Sequence, residues 1–247
     1  MSSIPKQPKV IVVMPAYNAA RTLEKVYRGI PKNKVNKILL IDDKSVDNTV
    51  KISRKLKIKT IVHKKNQGYG ANQRTCYTEA LKLKADFVIM LHPDGQYDPK
   101  DIVKFINKYK KNHTDLILGS RFLKGGDRKT PFYKSISIRV ITGMFNAVLG
   151  TSLSEANTGY RGFSRRLLQT IPWQKNGNGY IFDPQLIIQA RHYGFTIGDV
   201  PIFKDYHDAA SSPNFMTSLR HGIENLQLLG EYILHRLNIR KAQFLTQ

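Results

Sequence analysis

Along its first half the chain alternates between short apolar runs rich in β-branched residues and amphipathic segments. The apolar runs are Lys9–Met14, Lys37–Asp42, Lys59–His63, Asp86–Leu91 and Asp115–Ser120. Runs of this length and composition suit strands buried on both faces. Between them, Thr22–Ile30, Thr49–Leu56, Asn72–Leu83 and Pro99–Asn112 have helical periodicity. The last carries a start signal, with Asp98 as N-cap, Pro99 at the first helical position and Asp101 in the first turn. Strand, helix, strand, helix predicts an α/β fold around a parallel sheet with right-handed crossovers.

In such sheets ligands bind beyond the carboxyl ends of the strands. Those ends read Pro15-Ala16-Tyr17-Asn18, Asp42-Asp43, and His92-Pro93-Asp94-Gly95-Gln96. Tyr17 would offer a flat ring on which a base can stack. Asp42 or Asp43 would accept hydrogen bonds from base or ribose, and Asp47 would cap the following helix. In "HPDGQYDP", Asp94 and Gln96 are two residues apart and face one side if the chain is extended there. Mg²⁺ and Mn²⁺ take such hard oxygen ligands and leave positions open for phosphates. A tight Pro-Asp-Gly turn accounts for the same three residues without a metal. "NQGYGANQR" has Gly-x-Gly but lacks the third glycine and the acid of a dinucleotide fingerprint, and it follows the third strand. A phosphate-binding glycine loop backed by Arg74 is the remaining reading.

Other classes are limited by composition. The 247 residues are 41% apolar, enough for one sizeable core. A single cysteine, Cys76, rules out an intrachain disulfide or a cysteine zinc site. Residues 1–8 have no apolar h-region and read as a disordered lead; no run reaches the roughly eighteen apolar residues of a membrane span. The net charge of +22 favours anionic surfaces or phosphorylated ligands. No recognition helix, zinc finger or paired RNA-binding aromatics accompany it, so nucleic acid is not the expected partner. Residues 9–205 are expected to form the domain and 206–247 an amphipathic helical tail. Its stripe of Phe215, Leu219, Ile223, Leu226, Leu229 and Ile233 or Leu234, with basic flanks, suits packing on the domain, a dimer contact or anionic lipid.

Taken in order, "VVMPAYN", "IDDKSVDNT", "GYGANQRT", "DGQYDP", "GSRFLKGG", "NTGYRGFSR" and "GNGYIFDPQ" resemble the family 2 glycosyltransferases of the GT-A fold. The resemblance runs from about Lys9 to Phe203 and is nearest the dolichyl- and polyprenyl-phosphate sugar synthases. It implies inverting transfer of a sugar from a UDP- or GDP-sugar, with Mn²⁺ or Mg²⁺, to a lipid-linked acceptor at the cytoplasmic face of a membrane. The open alternatives are a soluble or glycan acceptor, or a protein that binds the donor without turnover. By this resemblance Pro15, Tyr17 and Asp43 hold base and ribose, within a nucleotide stretch that takes in Ala16, Asn18, Asp42 and Arg74. Asp94, Gln96 and His92 belong to the metal and diphosphate motif, and Arg121 faces the donor phosphates. Arg161, Gly179, Tyr180 and His207 lie toward the acceptor, as does Asp183, which is either a base or a helix cap. The remaining histidines, His221 among them, are expected to be surface or structural.

Two departures from the family pattern stand out. The usual Asp-x-Asp reads His92-Pro93-Asp94, and imidazole suits Mn²⁺ better than Mg²⁺. The basic loop that follows "VPI" in the lipid-phosphate synthases is replaced by "YHDAASSPNF".

Overall fold

The computed structural model describes residues 7–126, 132–205 and 215–246, with side chains of 132–134 and 215–219 left aside. Each apolar run forms a strand: β1 (Val10–Ala16), β2 (Lys37–Asp42), β3 (Lys59–Val62), β4 (Phe87–Met90) and β5 (Leu116–Ser120). The helices between them are α1 (Leu23–Gly29), α2 (Thr49–Lys55), α3 (Tyr69–Lys82) and α4 (Ile102–Asn112). Helix α3 starts three residues before the expected Asn72. A 3₁₀ turn, Pro99–Asp101, leads into α4, and the Asp98 carboxylate caps it by accepting from the Lys100 N–H at 2.9 Å.

The second half contributes α5 (Phe132–Leu149), β6 (Arg161–Ser164), α6 (Arg165–Thr170), α7 (Phe182–His192), β7 (Ile197–Pro201) and α8 (Phe215–Arg236). Among the described residues the sheet has seven strands in the order β3-β2-β1-β4-β6-β5-β7. Six are parallel and β6 runs antiparallel to both β4 and β5, which gives the mostly parallel sheet that the family resemblance implies.

Successive strand residues point to opposite faces, and both faces are covered. Ile11, Val13, Leu39, Ile41, Val88 and Met90 join one buried cluster with Tyr77 of α3 and Leu186 of α7. Val10, Val12, Met14, Leu40, Phe87 and Ile89 join the other with Leu23 of α1 and Phe105 of α4. Two-sided burial is why these strands read as continuous apolar runs.

The C-terminal segment belongs to the first cluster. Helix α8 packs on α5 and α7, burying Leu228, Leu229 and Tyr232, and Phe244 and Leu245 are buried beyond it. The expected stripe is therefore corrected: Leu229 faces inward, but Ile223, Leu226, Ile233 and Leu234 are on the exposed side. Phe215 and Leu219 lie outside the described side chains. No helix among the described residues is long and apolar enough to cross a membrane.

Candidate active site

Strand order fixes where the site lies. From β1 the chain proceeds to β2 and β3 on one side, while β4 pairs on the other. Loops leaving β1 and β4 therefore diverge and open a crevice between them. Because β6 is antiparallel, its first residue Arg161 pairs with Met90, the last residue of β4. A strand beginning thus brings a cation to the edge where the parallel strands end. The resulting cavity has a volume of about 540 Å³.

At the β1 end it is lined by Pro15, Ala16, Tyr17, Asn18 and Asp43. Tyr17 is 54% exposed. Asp43 is 3% exposed and held from three sides. Its Oδ1 meets His63 Nδ1 at 2.8 Å and accepts from Gln67 N at 2.9 Å; its Oδ2 accepts from Gly68 N at 2.8 Å. His63 Nε2 in turn meets Thr75 Oγ1 at 2.9 Å. Asp42 does not line the cavity: its carboxylate closes its own turn, accepting from Ser45 N at 2.9 Å and Ser45 Oγ at 2.5 Å. Of the paired acids, Asp43 alone faces the cavity. Asp47 accepts from Thr49 and from Ala20 N; partial burial works against its ionised form, yet these hydrogen bonds prevail and hold the carboxyl below its ordinary value.

His92, Pro93, Asp94, Gln96 and Tyr97 line the next portion. Asp94 Oδ1 accepts from Gln96 N at 3.1 Å, and Gly95 has φ 78°, a conformation costly for residues with a Cβ. The tight turn and the cavity-lining carboxylate are thus one feature, not alternatives. Enclosure pushes the His92 imidazole below its ordinary pKa, with the Asp94 and Asp183 carboxylates opposing. A neutral imidazole beside a carboxylate and an amide oxygen is a donor set compatible with Mn²⁺. Among the described residues no group of three or more His, Cys, Asp or Glu side chains could hold a metal. An ion here would need ligand phosphate oxygens to complete its shell, as expected of a substrate-bridging metal.

The opposite wall comes from β6, α3, α7 and α8. Arg161, 2% exposed, forms an ion pair with Asp183. Burial alone would disfavour the guanidinium, but Asp183 outweighs it and raises its pKa. Asp183 also accepts from Tyr69 Oη at 2.7 Å and Gln73 Nε2 at 2.8 Å. Burial drives the Tyr69 phenol well above its ordinary pKa, so it remains a donor. Asp183 lies in the first turn of α7, but Ile181 is the N-cap and no side chain caps that helix. Four rings then run along the wall: His92 stacks on Tyr69 at 5.7 Å, Tyr69 meets Tyr180 at 4.8 Å, and Tyr180 meets His221 edge-on at 4.7 Å.

With this geometry in view, comparison with known proteins is decisive for the family. The sequence profile of Glycosyl transferase family 2 matches residues 11–171. The chain belongs to glycosyl transferase family 2. Over 231 residues it is 26% identical to a UDP-N-acetylglucosamine–dolichyl-phosphate N-acetylglucosaminyltransferase of Methanococcus voltae, covering 85% of this chain and 92% of that one. An uncharacterised protein of Methanocaldococcus jannaschii is 27% identical over 223 residues, covering 82% and 91%. The crystal structure of glucosyl-3-phosphoglycerate synthase from Mycobacterium tuberculosis with Mn²⁺, UDP and phosphoglyceric acid has the same fold, with a TM-score of 0.69 at 17% identity, covering 95% of this chain and 80% of that one. The same synthase with Mg²⁺ and UDP gives 0.69 at 17%, covering 95% and 81%. The fold is therefore GT-A, and the chain is a glycosyltransferase.

Within this family framework, several expected site residues fall elsewhere. Arg121 does not line the cavity; it is buried, its guanidinium and backbone N–H engaging Glu155, with Nε to Oε1 at 3.0 Å and N to Oε2 at 2.9 Å. Arg74 also lies outside the lining and ties α3 to the 176–178 loop, donating to Asn176 O at 2.8 Å. The glycine loop is a brace, because its N–H groups go to Asp43 and, from Gly70, to Asn178 O at 2.7 Å. A Cβ on Gly70 would come within 2.5 Å of Gly177 O. Asn18 lines the cavity edge with its backbone left-handed (φ 51°), its side chain accepting from Val46 N at 3.0 Å. Gly179 is outside the lining although its neighbour Tyr180 is within it. His207 lies outside the described residues.

Sequence reasoning passed over Tyr69, Asn72 and Lys204, all of which line the cavity, and set aside His221, which also does. Tyr69 and Asn72 lie within the quoted "GYGANQRT", so a signal existed for them. Lys204 follows β7 and His221 sits on α8, where only the fold brings them to the cavity.

Proposed function

We propose that the chain is an inverting transferase that moves a sugar from a UDP- or GDP-sugar to a lipid-linked acceptor at the cytoplasmic face of a membrane. The observation that carries this reading is the convergence of Tyr17, Asp43, Asp94, Gln96 and Lys204 on one cavity at the switch point of the sheet. Tyr17 would stack on the base and Asp43 would accept from base or ribose. The pyrophosphate would then lie toward Asp94 and Lys204. Asp94, with Gln96 and His92, would hold a divalent metal, which when bound supplies positive charge against the departing diphosphate. Lys204 adds a protein cation on the same side. An acceptor phosphate is already anionic and needs no base, whereas an acceptor hydroxyl passes its proton to one, for which Asp183 is the carboxylate on this wall. Its oxygens accept from Tyr69, Gln73 and Arg161, which fix the wall whichever acceptor is bound.

The lipid-linked acceptor is supported by the dolichyl-phosphate specificity in the name of the M. voltae relative. Membrane association is supported by the exposed apolar side chains Ile223, Leu226, Ile233 and Leu234 of α8 and Ile136, Val140 and Met144 of α5, on which α8 packs. Thermal denaturation with UDP-, GDP- and dTDP-sugars, each with Mn²⁺, tests the donor: one nucleotide should raise the melting temperature selectively. Flotation with anionic vesicles tests the membrane: binding should weaken with salt and fall when Ile223 and Leu226 become serine. Absence of any nucleotide-dependent stabilisation would overturn the proposed function.

A further inference from the structure

Helix α8 gives the cavity a polar corner that the reading above does not use. His221, Glu224 and Asn225 all line it, on one face of the helix and next to the exposed ring of Tyr180. Asn225 is 5% exposed; its amide nitrogen donates to His221 O at 2.7 Å, while its Oδ1 has no hydrogen-bond partner. His221 Nδ1 meets Glu224 Oε2 at 3.2 Å, and its Nε2 is buried without a partner. Burial alone would raise the Glu224 pKa, but hydrogen bonds from His221 and Arg220 outweigh it and hold the carboxyl low, hence ionised. An ionised carboxylate can only accept, so Nδ1 carries the proton, and the buried Nε2 is left for a group that, like a hydroxyl, can either donate or accept.

Unsatisfied buried acceptors are costly unless a ligand supplies donors. A phosphate dianion has none to give and would meet Glu224. A hydroxyl-bearing ring has several, and its apolar face can lie on Tyr180. We propose that His221, Glu224 and Asn225 form a subsite for a neutral sugar unit of the acceptor. The lipid-linked acceptor is then one that already carries a sugar, not a bare polyprenyl phosphate. This rests on the transferase reading, with the nucleotide at the Tyr17 end and the acceptor at the α8 end.

The test uses the full chain loaded with UDP and Mn²⁺, titrated calorimetrically with methyl glycosides of glucose, mannose and N-acetylglucosamine, and separately with farnesyl phosphate. Binding of UDP, or of GDP in its place where UDP does not bind, reports on the transferase reading; absence of both would sink that reading and this one with it. With that nucleotide bound, at least one methyl glycoside should bind better than farnesyl phosphate. Asn225→Leu should weaken that glycoside about tenfold, the loss of roughly one good hydrogen bond. Nucleotide affinity should stay within about twofold. His221→Phe, which keeps an aromatic edge against Tyr180 but removes Nε2, should act in the same direction and serves if Asn225→Leu fails to fold. Asn225→Asp, which retains an acceptor oxygen, should lose less than Asn225→Leu. Intact nucleotide binding with no glycoside binding, or with glycoside binding indifferent to both α8 substitutions, would overturn the subsite and leave the transferase reading standing.

Discussion

The two ends of the cavity are built on different terms. Around Asp43 the polar groups are mutually satisfied: the carboxylate takes three partners, His63 passes the contact on to Thr75, and the Thr22 hydroxyl donates to Pro93 O at 2.6 Å. The Tyr17 ring and the Oδ1 of Asn72, whose amide nitrogen donates to Ile41 O at 3.1 Å, are left over. Toward α8 the balance shifts, with aromatic faces in a row and buried polar atoms on both His221 and Asn225 unpartnered. A prepaid network holds its geometry with or without ligand, whereas unsatisfied groups reach their full hydrogen bonding only when something binds. The nucleotide end is thus organised in advance, and selectivity is left to the other.

Substitutions can break that contrast, and the largest effect is expected at Asp94. Asp94→Asn keeps an oxygen to accept from Gln96 N but loses the anion, so transfer should fall by about a hundredfold or more while the circular dichroism spectrum is retained. Near-normal turnover would leave Asp94 as a turn residue and nothing else. Next is the buried pair on the far wall. Asp183→Ala strands Arg161 and should cost about 3–5 kcal/mol in urea unfolding. Replacing both, as Arg161→Met with Asp183→Leu, should recover most of that stability without recovering turnover. If the single substitution is silent, this wall is not held by its ion pair.

Smaller effects sharpen the nucleotide end. Tyr17→Ala should weaken nucleotide binding by about tenfold with little change in melting temperature, since the residue is more than half exposed. A drop in stability with unchanged affinity would make Tyr17 part of the scaffold. Smallest is His92→Asp, which should move the metal preference for donor binding from Mn²⁺ toward Mg²⁺ by a few-fold; an unaltered preference would remove His92 from the ligand set.

How much of this could be read beforehand follows the same division. Residues before Asn112 contribute local signals: apolar runs, the Asp98 cap, and clusters at strand ends, so β1 to β4 and the lining residues Tyr17, His92 and Asp94 are legible. Which of Asp42 and Asp43 faces the cavity is not, because it depends on Ser45 turning back to one and the glycine loop reaching the other. Arg121 illustrates a different limit. Its placement toward phosphates came from resemblance, and the competing partner, Glu155, lies thirty-four residues on in a stretch with no periodic signal. The stripe on α8 failed for a geometric reason: nearly equal apolar patches lie on two sides of that helix, and only packing on α5 and α7 selects Leu228, Leu229 and Tyr232 for burial.

The sheet order carries a consequence for how the enzyme matures. After β4 the chain leaves the sheet, places β5 one position away, and returns through β6 to fill the gap between them. Closing that gap demands contacts between segments separated by some seventy residues, such as Met90 with Arg161. Such distant pairings form late and slowly, because chain entropy must be surrendered before they are rewarded. The first three strands, by contrast, pair over short separations. A nascent or refolding chain would therefore acquire most of its helix and its β1–β3 ribbon well before Arg161 reaches the crevice. Catalytic competence, arriving with these late pairings, would lag behind the spectroscopic signs of helix and of the β1–β3 ribbon.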